Sequence, residues 1–202
     1  MRRFSGDRLV VATHNRGKLE EIAALLAPYG VILSSNADHG LPEPAETEET
    51  FVGNARIKAH AAALATGLPA LADDSGIEVE ALAGAPGVHT AEWAETPRGR
   101  DFGLAMRRTW EALNAADAQE PRRARFCCTL VLAWPDGHDE VFEGHVAGRV
   151  VWPGRGDQGH GYDPIFQPNG FDLTFGEMDR WEKNRISHRA DAFRKLVAGC
   201  FA

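Results

Sequence analysis

No apolar run in this chain approaches the roughly 20 residues a helix needs to cross a bilayer, so no membrane-spanning segment is expected. Cysteine is scarce: of three in 202 residues, Cys127 and Cys128 are adjacent and Cys200 lies far away. Three cannot build a disulfide framework, and none has zinc-ligand spacing. Met1-Arg2-Arg3-Phe4-Ser5-Gly6-Asp7 has two arginines but no apolar stretch behind them, so no signal peptide is expected. Repeats at solenoid periods and low-complexity tracts are missing as well. Basic residues are outnumbered, 22 Lys and Arg against 29 Asp and Glu, for a formal charge of −7. An acidic chain makes a poor general nucleic-acid binder. The expectation is a reduced cytoplasmic protein with neither nucleic acid nor membrane as partner.

What is present is the composition of an ordinary globular protein, 44% apolar and 25% charged. The length suffices for a sizeable core. No stretch resembles a flexible linker, and residues 1–202 read as one compact unit.

The opening is strand, turn, helix, strand, an α/β beginning. Leu9-Val10-Val11-Ala12 is a short buried strand; Leu19, Ile22, Ala23 and Leu26 then line one helix face, closed by Gly30. Val31-Ile32-Leu33-Ser34 is a second strand. Residues 35–49 form a loop with Pro42, Pro44 and the acids Glu43, Glu46, Glu48 and Glu49. Thr50 is an N-cap for an Ala-rich helix to Thr66, stopped by Gly67, on which Asn54 and Lys58 share a face. Ala70-Leu71-Ala72 leads into Asp73-Asp74-Ser75-Gly76, after which Ile77, Val79 and Ala81 alternate with Glu78 and Glu80 as a strand with one wet face. A helix carries Phe102, Ala105, Met106, Thr109 and Leu113. A strand through Phe126, Cys128, Leu130 and Leu132 turns at Pro135-Asp136-Gly137 and returns over Val141 to Val151. The Gly-rich stretch from Gly154 to Gly161 comes next. The end is helical, with Ser187 as N-cap before Phe193, Leu196 and Val197.

Four constellations could carry chemistry. Thr13-His14-Asn15-Arg16-Gly17-Lys18, at a strand end opening a helix, offers backbone N–H groups, a positive dipole end and a mobile ammonium, which suits phosphate. Ala12 and Leu19 stand where a Walker A loop needs Gly and Ser or Thr. Asp73-Asp74 is costly to bury without a cation, and magnesium commonly takes one or two carboxylates plus phosphates and water. Successive residues of an extended stretch point oppositely, so one aspartate would meet the metal; the competing reading is a solvated surface turn. In Gly159 to Phe166, His160 and Tyr162 could stack on a base and Asp163 accept from a ring N–H. Glu182 to Arg189 brings Lys183 and Arg189 beside a helix N-terminus. Arg122-Arg123-Arg125 reads as surface, and His138 and His145 lack a third zinc ligand.

In their order, several segments resemble the inosine/xanthosine triphosphate pyrophosphatase (Ham1-like) family. They are Ala12 to Ile22, Thr50 to Ala55, Ala72 to Ile77, Gly84 to Val88, Gly161 to Phe166 and Glu182 to Arg189, spread over nearly the whole chain. The resemblance implies an elongated two-lobed α/β fold with a long central mixed β-sheet flanked by helices, an active-site cleft between the lobes, and a homodimer. It implies Mg²⁺-dependent hydrolysis of XTP, ITP and dITP to the monophosphate and pyrophosphate, with Mn²⁺ a possible substitute.

Carried over by position, Thr13, His14, Asn15, Arg16, Gly17 and Lys18 grip the triphosphate. Asp74 is general base and metal ligand with Ser75 beside it, and Glu46 supplies the second metal contact with Glu43 close behind. His160, Gly161, Tyr162, Asp163, Lys183, His188 and Arg189 frame the base. The family usually carries Phe where this chain has His160. A non-catalytic purine-nucleotide-binding or sensing module would use the same residues, but two carboxylates facing phosphate without a metal would repel it. An RNA-binding domain built on Arg122, Arg123 and Arg125 fits poorly with the negative net charge.

Overall fold

The computed structural model describes residues 1–201. Its elements in chain order are β1 (Arg8–Val11), α1 (Arg16–Leu26), β2 (Ile32–Ser35), α2 (Phe51–Thr66), β3 (Ala70–Val79), β4 (Glu95–Thr96), β5 (Gly99–Arg100), α3 (Phe102–Ala115), β6 (Arg123–Ala133), β7 (Asp139–Val150), β8 (Phe166–Pro168), α4 (Arg180–Ile186) and α5 (His188–Leu196). Six strands form one sheet in the order β2-β1-β3-β6-β7-β8, and β4 pairs with β5 apart from it. β1 is parallel to β2 and β3, while β7 and β8 are antiparallel, so the sheet is mixed. The chain divides into two compact units. Unit 1 comprises Met1–Asp74, Cys128–Glu143 and Ala192–Ala202; unit 2 comprises Ser75–Cys127 and Gly144–Asp191.

In unit 1 the side-chain period of two sorts each strand into two faces. Val10, Ala70, Ala72, Val131 and Ala133 pack against Ala55, Ala59, Ala62 and Ala63 of α2. Alanines on that stripe let the helix lie close to the sheet, which brings Asn54 and Lys58 of the same helix into buried positions. Leu9, Val11, Leu71, Leu130 and Leu132 face the other way, onto Ile22 and Leu26 of α1 and Phe193 and Leu196 near the C-terminus. Thr50 caps α2 by accepting from Gly53 N at 3.0 Å, and Gly67 closes it in the left-handed conformation.

Unit 2 is built on Ile77 and Val79 of β3, Phe126 of β6, Val150 of β7 and Phe166 of β8, packed with Ala105 and Leu113 of α3, Tyr162 and Phe175. Phe126 meets Phe166 edge-on, 4.6 Å between centroids.

β3 runs unbroken from Ala70 to Val79, so Asp73 and Asp74 lie in an extended stretch and not in the competing solvated turn, and lysine ammonium groups meet both. Two places differ from the sequence reading. The charge run after residue 179 is a separate short helix, α4, capped by Asp179 accepting from Trp181 N. Ser187 ends it and, as expected, starts the next, its Oγ accepting from Ala190 N at 3.2 Å. Arg122 is not a surface residue; its guanidinium lies 3.9 Å above the ring of Trp110.

The Gly154–Gly161 stretch is pinned rather than loose. Arg155 N donates to Pro164 O and Gln158 N to Gly176 O, each at 2.8 Å. Gly156 has φ +82°, and a Cβ there would lie 2.0 Å from Gly176 O. Gly156→Ala is therefore expected to lower unfolding free energy by more than about 1 kcal/mol, read by denaturant titration; an unchanged midpoint would show that this approach is dispensable.

Candidate active site

β1 ends at Val11 and the chain turns through Thr13 to Lys18 into α1. Thr13 is buried, and its Oγ1 accepts from Asn15 N at 3.0 Å. Asn15 is the N-cap, its Oδ1 accepting from Lys18 N at 3.1 Å. The first intrahelical bond runs from Leu19 N to Asn15 O, so the amides of Arg16 and Gly17 sit at the positive end of the helix ahead of that ladder. The turn thus has the form of an anion cradle. His14 points elsewhere, its Nε2 3.0 Å from Leu41 O.

The two aspartates of β3 project to opposite faces, as an extended backbone requires. Asp73 Oδ2 is 2.8 Å from Lys18 Nζ. Asp74 Oδ1 is 3.4 Å from Lys58 Nζ, and the same ammonium binds Glu46 Oε1 at 2.5 Å. The phosphate turn and the acidic strand are therefore neighbours within unit 1. Glu46, rather than Glu43, shares a cation with Asp74; Glu43 lies 4.0 Å from His14. The acidic loop is further tied by Asn54, whose buried Oδ1 accepts from Glu48 N at 2.9 Å.

Charges here do not balance: Lys18 and Lys58 against Asp73, Asp74 and Glu46 give 2 − 3 = −1 with all ionised. Burial pushes the Asp74 carboxyl up to about 6, Lys58 opposes this, and Glu46 and Asp73 reinforce it. Burial lowers Lys58, but Asp74, Asp73 and Glu46 outweigh it and hold the ammonium above its ordinary value. Asp74 Oδ2 is buried and accepts no hydrogen bond. An orphaned carboxylate oxygen beside a second carboxylate fits a hard divalent cation that takes its other ligands from water and phosphate. Among the described residues, no three His, Cys, Asp or Glu side chains form a ready metal cage.

Unit 2 holds the remaining candidates. Ser75 follows Asp74 along β3. Asp163 is buried, and its Oδ2 accepts from His160 N at 2.8 Å and from Lys183 Nζ at 2.5 Å. It anchors the glycine-rich stretch and α4 instead of waiting for a ring N–H. Tyr162 is a correction to the stacking expectation: its ring is 1% exposed and its hydroxyl donates to Thr90 O at 3.1 Å. Burial pushes that phenol up to about 12. His160, flanked by Gly159 and Gly161, is exposed, so it keeps a ring to offer. His188 is buried and stacks on Phe126 at 5.0 Å and 16°, with Arg189 next to it in α5. None of the three cysteines is in a disulfide; burial pushes Cys127 up to about 12 and Cys200 to about 11, which keeps those two as thiols.

A family model described as Ham1 family matches residues 9–199. The chain belongs to the Ham1 family. A protein of Ruegeria pomeroyi named dITP/XTP pyrophosphatase is 68% identical over 200 residues, covering 99% of this chain and 98% of that one. A Rhodospirillum centenum protein of the same name is 57% identical over 201 residues, covering 100% and 98%. Among solved structures, a HAM1 protein from Coxiella burnetii matches at TM-score 0.90 and 38% identity, covering 95% of this chain and 97% of that one. The Ham1 protein of Staphylococcus aureus matches at 0.84 and 32%, with the same coverage. The α/β fold with a central mixed sheet flanked by helices is thus that of the Ham1 family. No described helix is long and apolar enough to cross a membrane.

The sequence reading named Asp74, Glu46 and Lys18 as site candidates and set Lys58 beside Asn54 on a helix face, but gave no role to Lys58, the cation in contact with two of them. The available signal was a lysine one turn after Asn54 on an otherwise alanine-lined helix face. Because the Asp74 carboxyl lies above its unfolded value of 3.8, the native state is penalised as pH rises from about 4, and the penalty is complete above about 6. Asp74→Asn keeps an acceptor for Lys58 and removes that penalty. The metal-free variant should melt at higher temperature than the parent at pH 7.5, by at most about 3 kcal/mol of added stability, and the two should converge near pH 4. Equal melting at both pH values would show that Asp74 is not held above its ordinary range.

Proposed function

We propose that this chain is a nucleoside triphosphate pyrophosphatase that hydrolyses deaminated purine nucleotides, XTP, ITP and dITP, to the monophosphate and pyrophosphate, removing them from the nucleotide pool. The observation that carries the reading is Asp74: a buried carboxyl near pKa 6 with one oxygen on Lys58 and the other without a partner, in a chain of the Ham1 family.

The α–β phosphoanhydride is the bond assigned to cleavage. Lys18 and the first-turn amides of α1 receive the polyphosphate, which draws the Lys18 ammonium away from Asp73. Asp74, ionised above about pH 6, accepts a proton from the attacking water as the water oxygen bonds to the α-phosphorus. The bond from the α-phosphorus to the bridging oxygen breaks, and pyrophosphate carries that oxygen away. Lys58 holds Glu46 and Asp74 in place and offsets developing negative charge. Asp74 and Glu46 would hold Mg²⁺, which when bound supplies Lewis-acid polarisation and charge neutralisation; Mn²⁺ is the natural substitute to test.

Base recognition falls to His160, Lys183, His188 and Arg189. A donor aimed at a 6-oxo group is left facing hydrogens when the base carries a 6-amino group, a loss of a few kcal/mol. ATP is therefore a poor substrate in this reading. The reading also carries a homodimer, which sedimentation would check.

ITP with Mg²⁺ should yield IMP and pyrophosphate in equal amounts by nucleotide chromatography, with XTP and dITP also turned over. IDP and orthophosphate would reject the cleavage position, and binding without turnover would favour the sensing module. Asp74→Asn should lower kcat by at least about 100-fold, and Lys18→Ala should mainly raise KM. Below about pH 6, kcat/KM should fall tenfold per unit as Asp74 gains its proton; a flat profile to pH 5 would remove Asp74 as the base.

A further inference from the structure

The phosphate turn carries a side chain that faces away from the role its neighbours take. His14 Nε2 lies 3.0 Å from Leu41 O. A carbonyl oxygen only accepts, so this nitrogen carries the proton and donates. The other ring nitrogen, Nδ1, faces Glu43 Oε2 at 4.0 Å. Both partners belong to the acidic loop that follows β2, and all these residues lie in unit 1.

That loop has little regular structure between Gly40 and Thr50, yet it must present Glu46. Its far end is held by Asn54, through Glu48 N, and by the Thr50 cap. Its middle is held by Glu46 on Lys58. Its near end is held by the Leu41 side chain, packed against the alanine stripe of α2 and β3, and by His14. Two of the loop's acids are thereby parcelled out, Glu46 to the cation it shares with Asp74 and Glu43 to His14.

We propose that His14 is a positioning residue that docks the acidic loop onto the phosphate turn, so that Glu46 and Lys18 address the same polyphosphate, and that Glu43 serves this docking and does not bind metal. Pro42 and Pro44 have no N–H, so the backbone around Glu43 offers few donors of its own, and a side chain from outside the loop has to hold Leu41. A hydrogen bond of this kind is worth a factor of about five to ten in a local opening equilibrium. Glu43 adds less, being exposed and 4.0 Å away.

The test is amide hydrogen exchange on the full chain without nucleotide, followed at Leu41 and Glu48, whose amides donate to Asn36 O and Asn54 Oδ1. His14→Ala should speed exchange there about five- to tenfold while α2 and β3 keep parental rates. His14→Gln, which retains a donor without a charge, should recover most of the protection. Glu43→Gln should speed exchange less than His14→Ala does. In turnover of ITP, His14→Ala should raise the Mg²⁺ concentration for half-activation by a similar factor, more than it raises KM.

Parental exchange in His14→Ala would overturn the docking. A raised KM with unchanged exchange would do the same and make His14 a phosphate ligand. Glu43→Gln costing as much Mg²⁺ affinity as Glu46→Gln would overturn the division of the two acids. The inference rests on the pyrophosphatase reading only in its turnover arm: exchange measured without nucleotide fails or succeeds independently of what the protein hydrolyses.

Discussion

One ammonium group organises the chemistry of this molecule. Lys58 is almost fully covered, and three carboxylates set its charge: Glu46 and Asp74 in contact, Asp73 at longer range. Removing an ammonium from water is expensive unless the charge is matched at close range, so the alanine-lined helix that carries Lys58 can bury it only where acids surround it. The dependence runs both ways. Without Lys58 the two carboxylates would repel, the loop holding Glu46 would lose its central anchor, and β3 could not carry Asp74 through a buried position as an unbroken strand.

The same reasoning explains why Asp74 is suited to work as a base. A carboxylate fully matched by a cation would sit below its ordinary range and bind protons weakly. Here burial and two neighbouring acids raise it against Lys58, and its second oxygen makes no hydrogen bond. Asp73, one residue away on the opposite face, lies in contact with Lys18. A pleated strand has given two adjacent aspartates different partners and so different duties: one holds the phosphate lysine, the other is left reactive.

In unit 2, rigidity comes from close approach of backbone. Gly156 lies against Gly176, and Asp163 gathers His160 N and Lys183 onto one oxygen. The glycine at 156 is explained by contact with another loop of the same unit. His160 stays exposed while Tyr162, two residues on, is sealed into the core, so only the histidine keeps a ring face for a base.

Much of this was legible in the linear chain because it depends on short-range rules. Caps at Thr50 and Ser187, the glycine stop at Gly67, the alternation of Ile77 and Val79, and the opposed directions of Asp73 and Asp74 follow from backbone geometry and period. The order of the motifs pointed to the Ham1 family, and the choice of Glu46 over Glu43 agrees with which acid Lys58 touches. What the chain alone left open was every matter of long-range pairing. That Asp73 and Asp74 continue a strand required lysines from two separate helices. That Tyr162 is core, that Arg122 lies on Trp110, and that His14 turns to Leu41 depended on which distant surface each side chain met. Periodicity records which face a residue occupies; only the packed structure decides what that face touches, and with it whether a charge is solvated, neutralised or held ready to take a proton.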